Sequence, residues 1–228
     1  GNPNSGKTTL FNALTGSNQQ IGNWPGVTVE KLEGKTQLPS GQPIRIVDLP
    51  GIYSLSAASE DERISREFIL SDETDLIVNI VDSTNLERNL YLTTQLVEMQ
   101  VPLIVVLNKT DLLKKQDLTI DTNHLSYHLG CPVIGISATD TTDAKNLLNA
   151  IEAALHNSAR PHADIQYPNE IEEILQSWEE KLIPLSEQLG IRWRWLAVKI
   201  LERDPLIYEM VKKQGIITLE EMEHTLSR

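Results

Sequence analysis

Short apolar runs alternate with amphipathic helical stretches over most of the chain. Runs that predict strands lie at residues 27–32, 44–49, 76–81, 101–107 and 132–136. Stretches with helical periodicity lie at residues 8–15, 61–70, 89–100 and 143–156. This alternation predicts an α/β fold with a doubly wound, mostly parallel sheet that binds ligands at the carboxyl ends of its strands. The first two predicted strands have no helix between them, so we expect them to pair as an antiparallel edge.

The pattern changes at a polar, proline-containing connector, residues 157–168. Beyond it, apolar residues recur only at spacings of three and four, which predicts helices throughout, and the stripe at 171–189 predicts one helix. We therefore expect an α/β domain at residues 1–160 and an all-α domain at residues 165–228. The signals for helix starts in the second domain are Asn169 with Glu172, Asp204 before Pro205, and Thr218 with Glu221.

Composition excludes several classes of protein. The 228 residues are 40% hydrophobic, and no apolar run approaches the ~18 residues needed to span a bilayer. The formal net charge of −12 argues against a nucleic-acid partner, because such partners need basic surfaces. The one cysteine, Cys131, fits a reducing compartment and leaves no partner for a disulfide within the chain. The tryptophans are expected in the core.

The chain opens on the pattern G-x-x-x-x-G-K-[ST], which forms a phosphate-binding loop ahead of a helix. Glycines let backbone amides approach a nucleotide polyphosphate, and the N-terminus of the following helix presents unpaired amides to the same phosphates. Lys7 is expected to reach the β- and γ-phosphates, and the Thr8 hydroxyl to ligate Mg²⁺. The candidate nucleotide-binding residues of this loop are Gly1, Asn2, Pro3, Asn4, Ser5, Gly6, Lys7, Thr8 and Thr9.

A second motif, N-K-T-D at residues 108–111, indicates which base is bound. The Asp111 carboxylate can accept two hydrogen bonds from guanine N1 and N2, whereas adenine offers no matching pair of donors. Asn108 is expected to tie this segment to the phosphate loop, and the stem of Lys109 to cover the base. A backbone amide after the last predicted strand should reach guanine O6. The candidate base-binding residues are Asn108, Lys109, Asp111, Ser137, Ala138 and Thr139.

Metal and switch residues lie between these two motifs. Asp48 ends a predicted strand and can hold Mg²⁺ through a water, and Thr28 is the candidate second hydroxyl ligand beside Thr8. Gly51 can present its amide to the γ-phosphate, which makes the following segment sensitive to loss of that phosphate. The motifs follow the order found in GTPases, so we predict a P-loop NTPase fold of the small-GTPase type that binds and hydrolyses GTP.

In this fold the phosphate loop follows a buried central strand. The sequence opens on the loop itself, so we expect that strand to lie upstream of Gly1. Without it, the neighbouring strands would lose their pairing partners.

Longer segments resemble the cytosolic N-terminal region of the ferrous iron transport protein B family. They are GNPNSGKTTLFNALTG at 1–16, GNWPGVTVEK at 22–31, DLPGIYSL at 48–55, DSTNLERNLYLTTQL at 82–96 and RWLAVKILERD at 194–204. The resemblance implies a GTPase domain, a helical domain that inhibits GDP release, and a membrane domain in the same polypeptide that moves Fe²⁺. It implies a place at the cytoplasmic face of the bacterial inner membrane, with small cytosolic Feo proteins or a second copy of the chain as candidate partners.

The resemblance also bears on hydrolysis. GTPases with this loop use K⁺, which implies that the Asn4 amide coordinates a monovalent cation where other GTPases place an arginine. The position that often holds a water-orienting glutamine is Ile52 here, so we expect slow intrinsic turnover. Either backbone groups of residues 21–28 position the water, or hydrolysis is unassisted. The candidate catalytic residues are therefore Asn4, Lys7, Thr28 and Gly51.

Three further features allow two interpretations each. Trp24, in a glycine-containing loop, is either a switch residue that responds to GTP or a local packing residue. His124 and His128 are spaced as on one helix face with Cys131 nearby, but they lack a carboxylate companion and are not assigned to a metal site. The acidic residues 60–62 are interpreted as a solvated helix start rather than a partner contact.

Two other classes share these motifs. A ribosome- or tRNA-associated GTPase should carry a basic appendage, whereas the region from Arg160 onward has more Asp and Glu than Lys and Arg. A GTP sensor that acts by binding a protein partner, with hydrolysis as a timer, has no feature that excludes it.

Overall fold

The computed structural model describes residues 1–56, 58–71, 73–137, 141–157, 160–163, 165–213 and 215, without the side chain of Thr141. Within them, strands form two three-stranded sheets, one antiparallel in the order β1-β2-β3 and one parallel in the order β4-β5-β6. The strands are β1 (Gln19–Asn23), β2 (Glu30–Gln37), β3 (Pro43–Asp48), β4 (Ile77–Asp82), β5 (Leu103–Asn108) and β6 (Val133–Gly135).

Helices lie between most of the strands and follow the last of them along the chain. A short 3₁₀ turn at Ser83–Asn85 precedes the third of them. The helices are α1 (Lys7–Thr15), α2 (Glu60–Ile69), α3 (Leu86–Met99), α4 (Thr110–Lys114), α5 (Thr122–Leu129), α6 (Thr141–Asn157), α7 (Asn169–Ser177), α8 (Glu179–Leu189), α9 (Trp193–Leu201) and α10 (Pro205–Lys213). None of these described helices combines the length and apolar character that crossing a bilayer requires.

The parallel sheet sets the position of the site. All six residues of β5 are buried, as expected for a continuous apolar run covered on both faces. In the parallel register Asp82 of β4 lies opposite Asn108 of β5, so both strands end at the same edge. Loops that follow parallel strands therefore meet there, which is where such sheets bind ligands.

The antiparallel sheet corrects the prediction for the first strands. β2 starts at Glu30 rather than at residue 27, because a turn closed by the Trp24 amide on the Val29 carbonyl, at 2.9 Å, occupies residues 24–29. β1 was not predicted at all, since its residues are polar or exposed and carry no apolar alternation. The antiparallel pairing of the two predicted strands is confirmed by β2 and β3.

Residues of β3 and β4 line a single cavity of about 710 Å³. Its lining is largely apolar and includes Leu10 and Leu14 of α1, Ile44 of β3 and Ile80 of β4. The strand expected before Gly1 stays a prediction.

The chain divides into two units. The first comprises Gly1–Val97 and Val101–His162, and the second comprises Glu98–Gln100 and Ala163–Arg228. The last residues of α3 thus belong to the second unit, although the sequence analysis assigned residues 1–160 to one domain.

Two helix predictions in the second unit are wrong. The stripe at 171–189 is not one helix, because α7 ends and α8 begins at Trp178; the apolar spacing continues across the break and could not reveal it. Asn169 is the first residue of α7 rather than its cap, a position that Pro168 takes. The start of α10 is confirmed, since the Asp204 carboxylate accepts the amides of Leu206 and Ile207 at 3.1 and 3.2 Å. The Thr218 signal lies outside the described residues.

Tryptophans mostly occupy the core, as predicted. Trp24, Trp178 and Trp195 are buried, whereas Trp193 is half-buried.

Candidate nucleotide-binding site

Residues 1–6 form a loop that leads directly into α1. Gly6 has a φ of 88°, and a Cβ there would lie 2.1 Å from Asn108 Nδ2, so this position requires glycine. Gly6 caps α1 without a side chain, which leaves the first amides of the helix available to an anion. Asn4 also has a positive φ, of 64°, a conformation that asparagine tolerates better than most residues, and its side chain is exposed.

The end of β5 is tied to this loop. The Asn108 amide donates to the Ser5 carbonyl at 2.8 Å, as the sequence analysis expected of Asn108. Lys109 donates to the Asn4 carbonyl at 2.9 Å and to Asp82 Oδ2 at 2.6 Å. The base-binding segment and the phosphate loop are therefore one connected structure.

Three polar side chains predicted to handle phosphate and Mg²⁺ lie together. Lys7 Nζ pairs with Asp48 Oδ1, and Thr8 Oγ1 donates to Asp48 Oδ2 at 3.4 Å. Asp48 is nearly buried, since only 6% of its side chain is exposed. A hydroxyl and a carboxylate at one point are the hard oxygen donors that Mg²⁺ prefers, so the residues fit this metal.

The segment after Asp48 packs on the phosphate loop. A Cβ on Gly51 would lie 3.1 Å from the Cα of Pro3, so a larger residue there would have to push the phosphate loop away. The Ile52 amide donates to the Gly1 carbonyl at 3.2 Å, and the Ile52 side chain is 5% exposed. Ile52 thus faces the core and offers nothing to a water at the phosphates.

Thr28 is not brought to the metal residues. It is exposed in the turn between β1 and β2 and makes no hydrogen bond to Thr8 or Asp48. Its role as a second Mg²⁺ ligand stays a prediction.

The predicted base-binding residues are placed unevenly. Asp111 is half-buried in the first turn of α4, and its carboxylate has no hydrogen bond to another described residue. The Ser137 amide is taken by Asp143 Oδ2 at 2.8 Å, so it is not free for guanine O6. Ala138 and Thr139 lie outside the described residues, and their predicted contact with the base stays a prediction.

Sequence reasoning missed a brace formed by residues 82–89, which were used only as a family signature. Asp82 pairs with Lys109, and its amide donates to Asn89 Oδ1 at 3.1 Å. Asn2 Nδ2, in the phosphate loop, reaches the Arg88 carbonyl at 3.5 Å. An aspartate at the carboxyl end of a predicted strand was the available signal, since such residues meet at the ligand-binding edge.

Glu62 holds the segment that follows Gly51. Its carboxylate accepts from the hydroxyls of Ser54 and Ser56 at 2.7 and 2.8 Å and from the Ala58 amide at 3.1 Å. Burial alone would raise the pKa of Glu62, but these hydrogen bonds outweigh it and the pKa lies below its ordinary value. Residues 60–62 start α2, as expected; Glu60 and Asp61 are exposed, whereas Glu62 is half-buried and its carboxylate accepts these local hydrogen bonds.

Trp24 packs in the edge-on arrangement against Phe68 of α2, with ring centroids 5.2 Å apart, and Lys31 lies over its ring. In this conformation it is a packing residue that links the turn at 24–29 to α2.

The histidine pair makes a contact of its own. His124 and His128 Nε2 atoms are 3.1 Å apart on α5, and both side chains are exposed. The described residues contain no group of three or more metal-ligating side chains. Cys131 is buried, which raises the pKa of its thiol to about 12.

The phosphate loop, Asp48 at the end of β3 and the N-K-T-D segment at the end of β5 are thus brought together. This arrangement is that of the P-loop GTPase fold.

Comparisons with known proteins agree with that class. A family model described as "Ferrous iron transport protein B" matches residues 1–151, and a "FeoB cytosolic helical domain" model matches residues 167–228. The chain belongs to the ferrous iron transport protein B family, FeoB, which confirms the resemblance seen in the sequence.

Individual relatives show how much of such a protein this chain covers. It is 45% identical over 210 residues to the Fe(2+) transporter FeoB of Escherichia coli strain K12, an alignment that includes 90% of this chain and 26% of the relative. The chain therefore spans about a quarter of the length of the curated relatives it matches.

Solved structures match over nearly the whole chain. The cytosolic domain of the T. maritima FeoB iron transporter in GDP form I has a TM-score of 0.84 and 36% identity, covering 99% of this chain and 88% of that one. The GMPPNP form of the same domain has a TM-score of 0.83 and 37% identity, covering 98% and 88%. The predicted fold class, a P-loop α/β domain with a helical region after it, is confirmed.

Proposed function

We propose that the chain binds GTP and GDP and hydrolyses GTP to GDP and phosphate. One observation carries this proposal: Asn108 and Lys109 join the base-binding segment to the phosphate loop, while the Asp111 carboxylate beside them is left unbonded by the described residues. A half-buried carboxylate without donors suits the paired N–H groups of guanine and would be poorly matched by adenine. Relatives solved with GDP and GMPPNP support the same ligand class.

Nucleotide binding should change the partners of Lys7. In the structure its ammonium neutralises Asp48, whereas phosphate oxygens would compete for the same three donors. Asp48, with Thr8, would then serve Mg²⁺, which supplies charge neutralisation of the β- and γ-phosphates when bound. Lys7 and the amides at the start of α1 would hold the phosphates, and the Gly51 amide would face the γ-phosphate.

Hydrolysis is expected to be slow. Ile52 is buried, so no side chain follows Gly51 that could orient the attacking water. Backbone groups of residues 21–28 are the candidates for this role, and Thr28 would join the site if that segment closed over the phosphates.

Asn4 is proposed to bind K⁺. Its amide is exposed at the outer face of the phosphate loop, and an amide oxygen is a suitable ligand for a hard monovalent cation. Its positive φ gives a competing reason for asparagine at this position, so a test must separate ligand from conformation.

For the whole protein, we propose that this region is the cytosolic regulatory part of a ferrous iron transporter. The curated relatives named Fe(2+) transporter extend well beyond the matched segment, which supports a membrane domain in the same polypeptide. The region would then lie at the cytoplasmic face of the bacterial inner membrane. Small cytosolic Feo proteins and a second copy of the chain stay candidate partners, and the acidic charge disfavours nucleic acid.

Phosphate release from GTP tests the enzymatic proposal and the K⁺ proposal together. The unsubstituted protein (the parent), Asn4→Ala and Asn4→Gly are compared in KCl and in NaCl with Mg²⁺. Glycine keeps the left-handed backbone conformation at position 4 but removes the side-chain amide. We expect faster turnover in KCl for the parent and equal rates in both salts for both variants. If Asn4→Gly keeps its K⁺ stimulation, Asn4 does not bind the ion. If the parent releases no phosphate in either salt, the chain is not a GTPase.

A further inference from the structure

Asp82 lies where the phosphate loop and the base-binding segment meet. It is the last residue of β4 and stands opposite Asn108 in the parallel register, one residue from Lys109. Only 16% of its side chain is exposed. It therefore lies beside the site without belonging to any of the motifs that define it.

Lys109 is held by two oxygens on different segments. Its ammonium donates to the Asn4 carbonyl at 2.9 Å and to Asp82 Oδ2 at 2.6 Å. A lysine ammonium sits on a flexible four-carbon stem, so a hydrogen bond to one carbonyl alone would hold it weakly. The donor is charged in both contacts, but only the Asp82 acceptor is charged as well, which makes that contact the stronger of the two.

Asp82 is itself fixed. Its other oxygen, Oδ1, accepts from the Thr84 amide at 3.0 Å and the Thr84 hydroxyl at 2.6 Å, and its backbone amide donates to Asn89. Burial alone would raise the pKa of Asp82, yet the hydrogen bonds from Lys109 and Thr84 lower it below its ordinary value. The carboxylate is thus charged at neutral pH and held in one orientation.

We propose that Asp82 is a positioning residue for Lys109, and that it sets how long a guanine nucleotide stays bound. By holding the ammonium on the Asn4 carbonyl, it fixes the phosphate loop and the lysine stem over the base at the same time. The inference rests on the proposed nucleotide-binding function of this site.

The sign of the effect distinguishes positioning from simple charge. Asp82 places a negative charge near a site for a polyanion, so removing the charge should tighten nucleotide binding if only long-range electrostatics mattered. Loss of a positioning contact should weaken it instead. The two explanations therefore predict opposite changes for the same substitution.

The experiment measures dissociation of a fluorescent GDP analogue, chased with excess GDP, from four proteins. These are the parent, Asp82→Asn, Lys109→Met and the double variant. We expect Asp82→Asn to release the analogue about tenfold faster, as loss of a charge-assisted hydrogen bond predicts. In the Lys109→Met background the same substitution should change the rate by less than about twofold, because the positioned group is gone.

Asp117→Asn is the matched control, because it removes one carboxylate from an exposed position with a φ of 55° that asparagine accepts. It should release the analogue at the parent rate within about twofold.

Three outcomes have distinct meanings. An unchanged or slower rate for Asp82→Asn overturns the proposal. So does a tenfold effect that persists in the Lys109→Met background, since Asp82 would then act through its Thr84 contacts whether or not the lysine is present. If the parent shows no preference for GDP over ADP in the same assay, the proposed function fails rather than the role of Asp82.

Discussion

The two units of the molecule use buried charge differently. In the first unit, the ion pairs of the candidate site join different elements: Lys7 at the start of α1 meets Asp48 at the end of β3, and Lys109 after β5 meets Asp82 at the end of β4. In the second unit, the most extensive described ion pair joins two packed helices. Arg194 of α9 pairs through both terminal nitrogens with Glu172 of α7.

The polar side chains around Arg194 in the second unit bond mainly to one another. Arg194 also donates to the Ile165 carbonyl at 2.9 Å and lies over the Tyr167 ring. The Tyr167 hydroxyl donates to Glu98 Oε1 at 2.5 Å, and burial raises the pKa of Glu98. These groups satisfy one another, and the cluster therefore contributes to packing.

The difference separates two properties that substitutions could change. Ion pairs of the first unit hold donors that a nucleotide can take over, so their loss should appear in binding and turnover. The Arg194–Glu172 pair instead lies between packed helices, so its loss should appear in the free energy of unfolding.

The largest effect is expected for Lys7→Ala. Lys7 supplies a positive charge where phosphates would bind, and loss of one such preorganised donor lowers turnover by about 100-fold or more. Lys35→Ala, which removes an exposed lysine from β2, is the control and should leave turnover near the parent value. Equal rates for Lys7→Ala and the parent would remove Lys7 from the site.

Arg194→Met should have the opposite profile. The guanidinium is nearly buried, and its removal takes the charged donor from Glu172, which keeps only the Tyr167 amide, and the side-chain donor from the Ile165 carbonyl. Because 27% of the Glu172 side chain is exposed, we expect the free energy of unfolding to fall by about 2 kcal/mol rather than by the full cost of a broken buried pair. Urea unfolding measures this free energy, and the affinity for GDP should stay within about twofold of the value for the unsubstituted protein. A large change in GDP affinity with an unchanged free energy of unfolding would contradict the structural role assigned to the Arg194–Glu172 pair.

The same ion pair predicts a pH dependence. Its hydrogen bond from Arg194 lowers the pKa of Glu172 from 4.5 to about 2. A carboxylate with a lowered pKa in the folded state contributes stability above its ordinary pKa, and this contribution disappears as pH falls from about 4.5 toward 2. The stability difference between the parent and Glu172→Gln should therefore shrink across that window. A difference that stays constant from pH 7 to pH 2.5 contradicts the assignment.

The smallest effect concerns Trp24. If GTP reorders residues 24–29, Trp24 should leave Phe68 and its emission should shift between GDP and a GTP analogue. Trp24→Phe is the control, because the remaining tryptophans should report no such change. The same nucleotide-dependent shift in Trp24→Phe would show that another tryptophan is the reporter.

The sequence predicts those elements whose residues carry a local pattern, and it misses those that depend on pairing with another segment. β5 and the start of α10 were predictable because a buried apolar run and an Asp-Pro cap are local. β1 was not, because its backbone pairs with β2 while its side chains face solvent.

The site shows the same limit. The phosphate loop and the N-K-x-D motif are each a short continuous segment, so the chemistry of each could be assigned from the sequence directly. The contact of Asp82 with Lys109 depends on how β4 and β5 pair, and no local motif around either residue indicates that they meet. Thr28 illustrates the reverse case, since its place in the chain suggested a ligand while the structure leaves it exposed.

Base selectivity tests the central claim most directly. GDP, ADP and xanthosine diphosphate compete for the parent protein and for Asp111→Asn, whose amide can donate to the C2 carbonyl of xanthine. We predict that the parent binds GDP at least about 100-fold more tightly than ADP, as expected for a site built around paired hydrogen bonds. Asp111→Asn should lose that preference and gain affinity for xanthosine diphosphate. Equal binding of GDP and ADP by the parent would contradict the assignment of a guanine nucleotide to this site.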